Sequence, residues 1–153
     1  MNIKIICVGK IKEKYLTDGI EEYRKRLKLF CELELVELKE VNTDDINKNI
    51  EQEGDLILNS IKKTDYVIAL SIPGKNISSE TFADMIKEHY TYNSSTITFV
   101  IGGSNGLDNR VLQRSNYQLS FGKMTYPHQL MRLILLEQVY RCMMINNNHK
   151  YHK

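Results

Sequence analysis

Apolar residues recur along this chain in two rhythms, and the switches between them predict alternating strands and helices. NIKIICV (residues 2–8) is β-branched and mostly apolar up to a Gly9–Lys10 break, which predicts a buried strand. Tyr15, Leu16, Ile20, Tyr23, Leu27 and Phe30 then recur at spacings of three and four, one face of a helix of roughly 16–20 residues. ELELVEL (32–38) alternates polar and apolar, as a half-exposed strand does. Thr43 or Asp44 can cap a second helix striped by Ile46, Ile50, Ile57 and Ile61.

The second half repeats the pattern. DYVIALSI (65–72) is a continuous apolar run, expected of a strand buried on both faces, and Pro73–Gly74 predicts a turn after it. Ser78 or Ser79 caps a helix that runs to about Tyr92. TITFVI (96–101) predicts another buried strand ending at Gly102–Gly103, followed by a short helix over 108–114 and a fifth strand at NYQLSF (116–121). The longest helical pattern runs from Pro127 to about Ile145, with proline in its first turn and Thr125 or Tyr126 as the cap. Strands alternating with helices at this spacing predict one α/β domain over 1–153, a mostly parallel sheet flanked by helices.

That last helix is apolar almost all round: Leu130, Met131, Leu133, Ile134, Leu135, Leu136, Val139, Tyr140, Met143 and Met144 leave it little polar face. It must be covered on two sides, one by its own sheet and the other by a second copy of the chain, so a homodimer is expected. Three cysteines (Cys7, Cys31 and Cys142) and no CxxC pair point away from a disulfide framework and toward a reduced compartment. The N-terminal apolar run is short for a signal peptide, and no segment reaches the ~18 apolar residues of a membrane span. A cytoplasmic protein is the expectation.

Net charge is only +2, but residues 110–153 hold seven Lys or Arg against one acid, Glu137. Such clustering is expected of a face that meets a polyanion, unless it is ordinary surface charge unevenly spread. Three strand ends carry unusual loops: LSIPGK (70–75), IGGSNG (101–106) and SFGKMTYPH (120–128). Ligands of open α/β sheets bind beyond the carboxyl ends of the strands, and glycine lets backbone approach them closely. IGGSNG is neither GxGxxG nor a phosphate-binding P-loop, so alone it fits a plain turn as well as a ligand loop. Lys123 and His128 flank a helix start that favours anionic groups, although His128 could equally be a cap bonded to backbone. HExxH, CxxC and GxSxG are absent, and His149 with His152 in a terminal tail do not make a metal site. Backbone, Arg, Lys, His and Tyr remain, a set that suits binding, orienting and deprotonating around an already activated electrophile, as in methyl transfer from a sulfonium.

VGK at 8–10, LSIPGK at 70–75, FVIGGSNGL at 99–107, LSFGKMTYPHQLMRLILLEQVYR at 119–141 and YHK at 151–153 together resemble the SPOUT-class ribosomal RNA large subunit methyltransferase H family. The resemblance covers the whole chain in length and motif order. It implies an S-adenosyl-L-methionine-dependent enzyme that methylates N3 of a pseudouridine in 23S rRNA, on the assembled ribosome. It also implies a C-terminal trefoil knot, and as partners a second copy of the chain and rRNA, with no DNA and no membrane. Carried over residue by residue, cofactor contacts fall on Leu70, Gly102, Phe121, Gly122, Lys123, Met124, Thr125 and Tyr126. Tyr151 and His152 would act at the target base, His152 as base or base-orienting group, with the tail reaching in from the partner subunit. Arg132 and Arg141 would hold phosphate or stabilise developing charge, unless each arginine is spent on a helix-surface ion pair, for example Glu137 with Arg141, an alternative that weighs more for Arg114. Arg114, His128 and Lys153 would contact RNA. One departure stands out: Asn146-Asn-Asn-His-Lys150 replaces the glycine and proline that members usually carry just before the YH pair. The rival reading is a non-catalytic cofactor binder or ribosome-associated assembly factor.

Overall fold

The computed structural model describes residues 1–153. Five strands, β1 (Asn2–Val8), β2 (Glu32–Leu38), β3 (Tyr66–Asn76), β4 (Ile97–Ile101) and β5 (Tyr117–Ser120), form one sheet in the order β2-β1-β4-β3-β5. Every pairing is parallel. Five helices connect them: α1 (Lys14–Leu27), α2 (Ile46–Asn59), α3 (Ser79–Tyr92), α4 (Asn109–Arg114) and α5 (His128–Asn146).

The two sheet faces separate by sequence parity. In β1, Ile3, Ile5 and Cys7 enter the larger core with Phe99, Ile68, Leu119 and the inner faces of α1, α3 and α5. Ile6 and Val8 turn the other way, onto Ile57 of α2 and Val111 of α4. Side chains of a strand alternate between faces, so a strand covered on both sides has no polar position to spare. This explains why β1 and β4 read as nearly continuous apolar runs, their buried Lys4 and Thr98 both meeting Asp65, whereas the edge strand β2 keeps its alternation.

Several boundaries differ from the sequence expectation for identifiable reasons. α1 stops at Leu27, because Phe30 and Cys31 bond back to the Leu27 carbonyl in a tighter turn. The cap of α2 is Asp45, whose side chain accepts from Lys48 N at 3.2 Å, while Thr43 is engaged with Asn49. Pro73–Gly74 does not end β3. Pairing with β5 resumes at Lys75 after an irregularity, so 71–74 bulges out of the ladder instead of turning away. Pro127 occupies the cap position of α5, with no side-chain cap bond.

α5 lies between α1 and α3, and no residue of it from His128 to Asn146 is exposed. Leu135, Leu136 and Val139 are fully buried. A Cβ on Gly19 of α1 would come within 3.0 Å of Leu133 Cδ2, so α1 and α5 approach closely. Leu135→Ala should cost about 2–5 kcal/mol of stability. Urea unfolding followed by circular dichroism would show this as a lower midpoint at unchanged slope.

Candidate functional site

Beyond the carboxyl ends of β3, β4 and β5 lies a pocket of about 870 Å³, formed by the three loops that the sequence singled out. The β3 bulge supplies Leu70, Ser71, Ile72 and Pro73; the next loop runs from Ile101 to Leu107; the third supplies Phe121, Gly122 and Met124 to His128. The IGGSNG loop closes on itself, with Gly106 N donating to Gly103 O at 3.1 Å. A Cβ on Gly102 would sit 3.0 Å from Gly106 C and 3.1 Å from Leu107 Cδ2, so only glycine fits this close crossing. The lining contains no Asp, Glu, Lys or Arg. It offers apolar surface and backbone polar groups, a wall suited to a flat heterocycle read by main chain.

Of the anticipated cofactor residues, Leu70, Gly102, Phe121, Gly122, Met124, Thr125 and Tyr126 meet in this pocket. Lys123 does not line it and points to solvent. His128, expected on the RNA side, forms part of the pocket wall. Its Nε2 is buried without a hydrogen-bond partner. Burial lowers its pKa, the nearby Arg132 guanidinium adds to that, and Glu40 opposes it. The ring is therefore neutral near pH 7.

Arg132 is not available to RNA. It is 3% exposed, donates to Glu37 Oε2 at 2.8 Å, and caps the carbonyls of Val8 (2.9 Å) and Gly9 (2.6 Å). Its role is to clamp the start of α5 onto the end of β1. Arg114 is also spent, donating to the carbonyls of Lys62 (2.9 Å) and Asp65 (3.2 Å). Those residues precede β3 in a wholly parallel sheet, so Arg114 lies at the end opposite the pocket.

The tail forms a second cluster. Tyr151 Oη donates to Glu137 Oε1 at 3.0 Å, and the Arg141 guanidinium sits 4.8 Å from the Tyr151 ring centroid. Arg141 bonds Glu137, the expected i, i+4 pair, and also reaches His152 Nδ1 at 3.1 Å. Arginine can only donate, so Nδ1 accepts and Nε2 carries the proton that faces Glu80 Oε1 at 2.6 Å. Burial, with bonds to Tyr23 and Glu137, raises the Tyr151 pKa, so the phenol stays protonated. None of these residues lines the pocket. His128 and Arg141 stand thirteen positions apart on α5, about 20 Å of helix. Lys153 is exposed at the chain end. The sequence reading missed Glu40 and Glu53, which border the IGGSNG loop through Ser104 and Gly103. No local motif marks them, because the β2–α2 loop reaches the site only through the fold.

A family model described as "Predicted SPOUT methyltransferase" matches residues 1–152. The chain belongs to the SPOUT methyltransferase family. Among relatives, it is 53% identical to a "Ribosomal RNA large subunit methyltransferase H" of Clostridium botulinum, over 159 aligned residues covering all of both chains. Proteins of the same name from Levilactobacillus brevis and Carboxydothermus hydrogenoformans are 52% and 50% identical, again over the full length of both chains. A solved methylase family protein from Haemophilus influenzae shares the fold, with a TM-score of 0.57 at 14% identity, over 99% of this chain and 70% of that one. No helix of this SPOUT methyltransferase is long and apolar enough to cross a membrane.

Two outcomes follow. Arg132→Ala strands two strand-end carbonyls, and should cost about 1–3 kcal/mol for each one left unpaired in chemical unfolding. The depressed pKa of His128 means that an unfolded chain takes up a proton near pH 6.5 before the folded one does. Stability should therefore fall as pH drops through that region, and His128→Gln should flatten that part of a stability–pH curve measured by urea titration.

Proposed function

We propose that this SPOUT methyltransferase transfers a methyl group from S-adenosyl-L-methionine to N3 of a pseudouridine in 23S rRNA, as a cytoplasmic homodimer acting on the assembled ribosome. The observation that carries the reading is the uncharged, backbone-rich pocket at the strand ends, in a chain at least half identical to full-length relatives that bear the rRNA methyltransferase name. Its volume suits a nucleoside-sized cofactor. When bound, the cofactor supplies a methyl group already activated on a sulfonium, so the protein's work is binding, orientation and proton removal.

Leu70 and Gly102 would bound one side of the cofactor, and the stretch from Phe121 to Tyr126 the other, with the loops threaded as a trefoil knot. The long reach along α5 from the pocket to His152 argues that a second subunit's tail completes the site. The partly buried strip of α5, including Leu130, Leu133, Ile134 and Tyr140, would form the contact that brings it there. In the tail, Arg141 sits on His152 Nδ1, the nitrogen that would take the proton. Movement of Arg141 off Nδ1 would free that nitrogen toward N3–H, and leave the guanidinium beside the anion that forms. Tyr151, kept as a phenol, would stack on or bond to the base. Lys123 and Lys153 are exposed and form no ion pair in the structure, which leaves both free for phosphate. The Asn-rich segment before the tail turns with Asn148 at positive φ, so no glycine is needed to fold Tyr151 back onto Tyr140.

Labelled methyl transfer to ribosomes from cells lacking the gene, with nucleoside mass spectrometry of the product, tests the reading directly. It should yield 3-methylpseudouridine in 23S rRNA, whereas cofactor binding with no transfer would favour a non-catalytic binder. His152→Ala should lower the single-turnover rate by about 10²–10⁴-fold; an unaltered rate would exclude it as the base.

A further inference from the structure

The pocket lining has no charged side chain to meet a cationic ligand. One carboxylate stands directly at its border. Glu40, just past β2, accepts from Ser104 Oγ at 3.4 Å, and Ser104 lines the pocket. Glu40 takes part in none of the ion pairs of the fold. Its Oε2 lies 3.7 Å from the point where a Cβ on Gly9 would sit, and His128 Nε2 lies 3.7 Å from the same point. Gly9 has φ +88°, a conformation that disfavours any side chain there. That nitrogen of His128 is buried and unpartnered. Behind the loop, Glu53 gives one carboxylate oxygen to Val41 N–H at 2.9 Å and so pins the segment that carries Glu40.

An unpaired carboxylate and a buried, unpartnered imidazole nitrogen thus lie beside Gly9, and the Ser104 hydroxyl bonded to that carboxylate lines the pocket. Resting on the reading that the pocket takes S-adenosyl-L-methionine, we propose that Glu40, with Ser104 and His128, forms the subsite for the α-ammonium of its amino-acid tail. An ammonium carries three N–H donors and one positive charge, which this set matches in number and sign. A lone anion such as phosphate would be repelled by Glu40, and the tail's own α-carboxylate must point away from it. The sulfonium, the other cation of the cofactor, has no N–H to give and must stay open toward the methyl acceptor. The hydroxyl and imidazole cost a neutral nucleoside nothing, so the subsite selects the charged tail and leaves adenosine recognition to the loops.

Isothermal titration of the full-length protein separates the possibilities. The probes are S-adenosylhomocysteine, its analogue lacking the α-amine, and 5′-methylthioadenosine, which has no amino-acid tail. Glu40→Gln should weaken S-adenosylhomocysteine about tenfold or more and weaken neither of the other two. Glu40→Lys should weaken it further, with the loss reduced at high salt. Equal weakening of all three ligands would make Glu40 a prop for the loop and overturn the proposal, as would unchanged affinity for S-adenosylhomocysteine in both variants. If the wild-type protein bound none of the three, the cofactor reading itself would fail, a result distinct from failure of the subsite. Exposed Glu40 carries little of the core, and matching thermal melts of the variants would confirm that folding is intact.

Discussion

The Arg132 clamp sets the geometry on which the site depends. A guanidinium in the interior is tolerated because its donors meet two strand-end carbonyls and one carboxylate, all from the β1 and β2 ends. Carbonyls at the carboxyl end of a central parallel strand need partners, and here a helix remote in sequence supplies them. The clamp fixes where α5 begins. The start of α5 in turn fixes His128 against Gly9, and with it one wall of the pocket. The arginine that looks most like a ligand for phosphate is in fact the bolt between sheet and helix.

The remaining architecture divides chemistry between two places. Neutral surface and bare backbone gather at the strand ends, while charge gathers around Arg141, Glu137, Tyr151, His152 and Glu80 on the helical face. One chain cannot superpose them, because α5 is rigid, buried and too long between the two. In this fold the polar groups of the tail are engaged by bonds among themselves. Glu80 and Arg141 hold the two nitrogens of His152 at once, so the imidazole is oriented from both sides.

Much of the fold was legible because parity and periodicity are local. A strand covered on both faces must be apolar wherever no buried partner waits, and β1 and β4 are, apart from Lys4 and Thr98, which both meet Asp65; a helix between two others must lose its polar face, and α5 does. The three loops that form the pocket were legible for the same reason, since Gly102–Gly103 and FGKMTYPH interrupt patterns that otherwise continue. What failed was long-range pairing. Nothing near Arg132 in sequence reveals that Val8, Gly9 and Glu37 wait for it, so it read as a free cation. Arg114 deceived in the same way, its partners lying in the Lys62–Asp65 turn. Glu40 was invisible because its loop comes to the IGGSNG segment only through the β2-β1-β4 order of the sheet. Pro73–Gly74 read as a turn, but the ladder tolerates a bulge where a proline's missing donor faces a pocket instead of a neighbouring strand.

The uncharged lining of the pocket has a consequence for turnover. For the sulfonium cofactor proposed above, a wall with no carboxylate of its own would gain little by distinguishing it from the thioether left after methyl transfer. Spent cofactor would thus be held almost as firmly as fresh, and its departure would become the slow event of the cycle. Such an enzyme is poorly suited to rapid repetition and well suited to acting once on each large, long-lived target. Its pace would then be set by the rate at which targets are made.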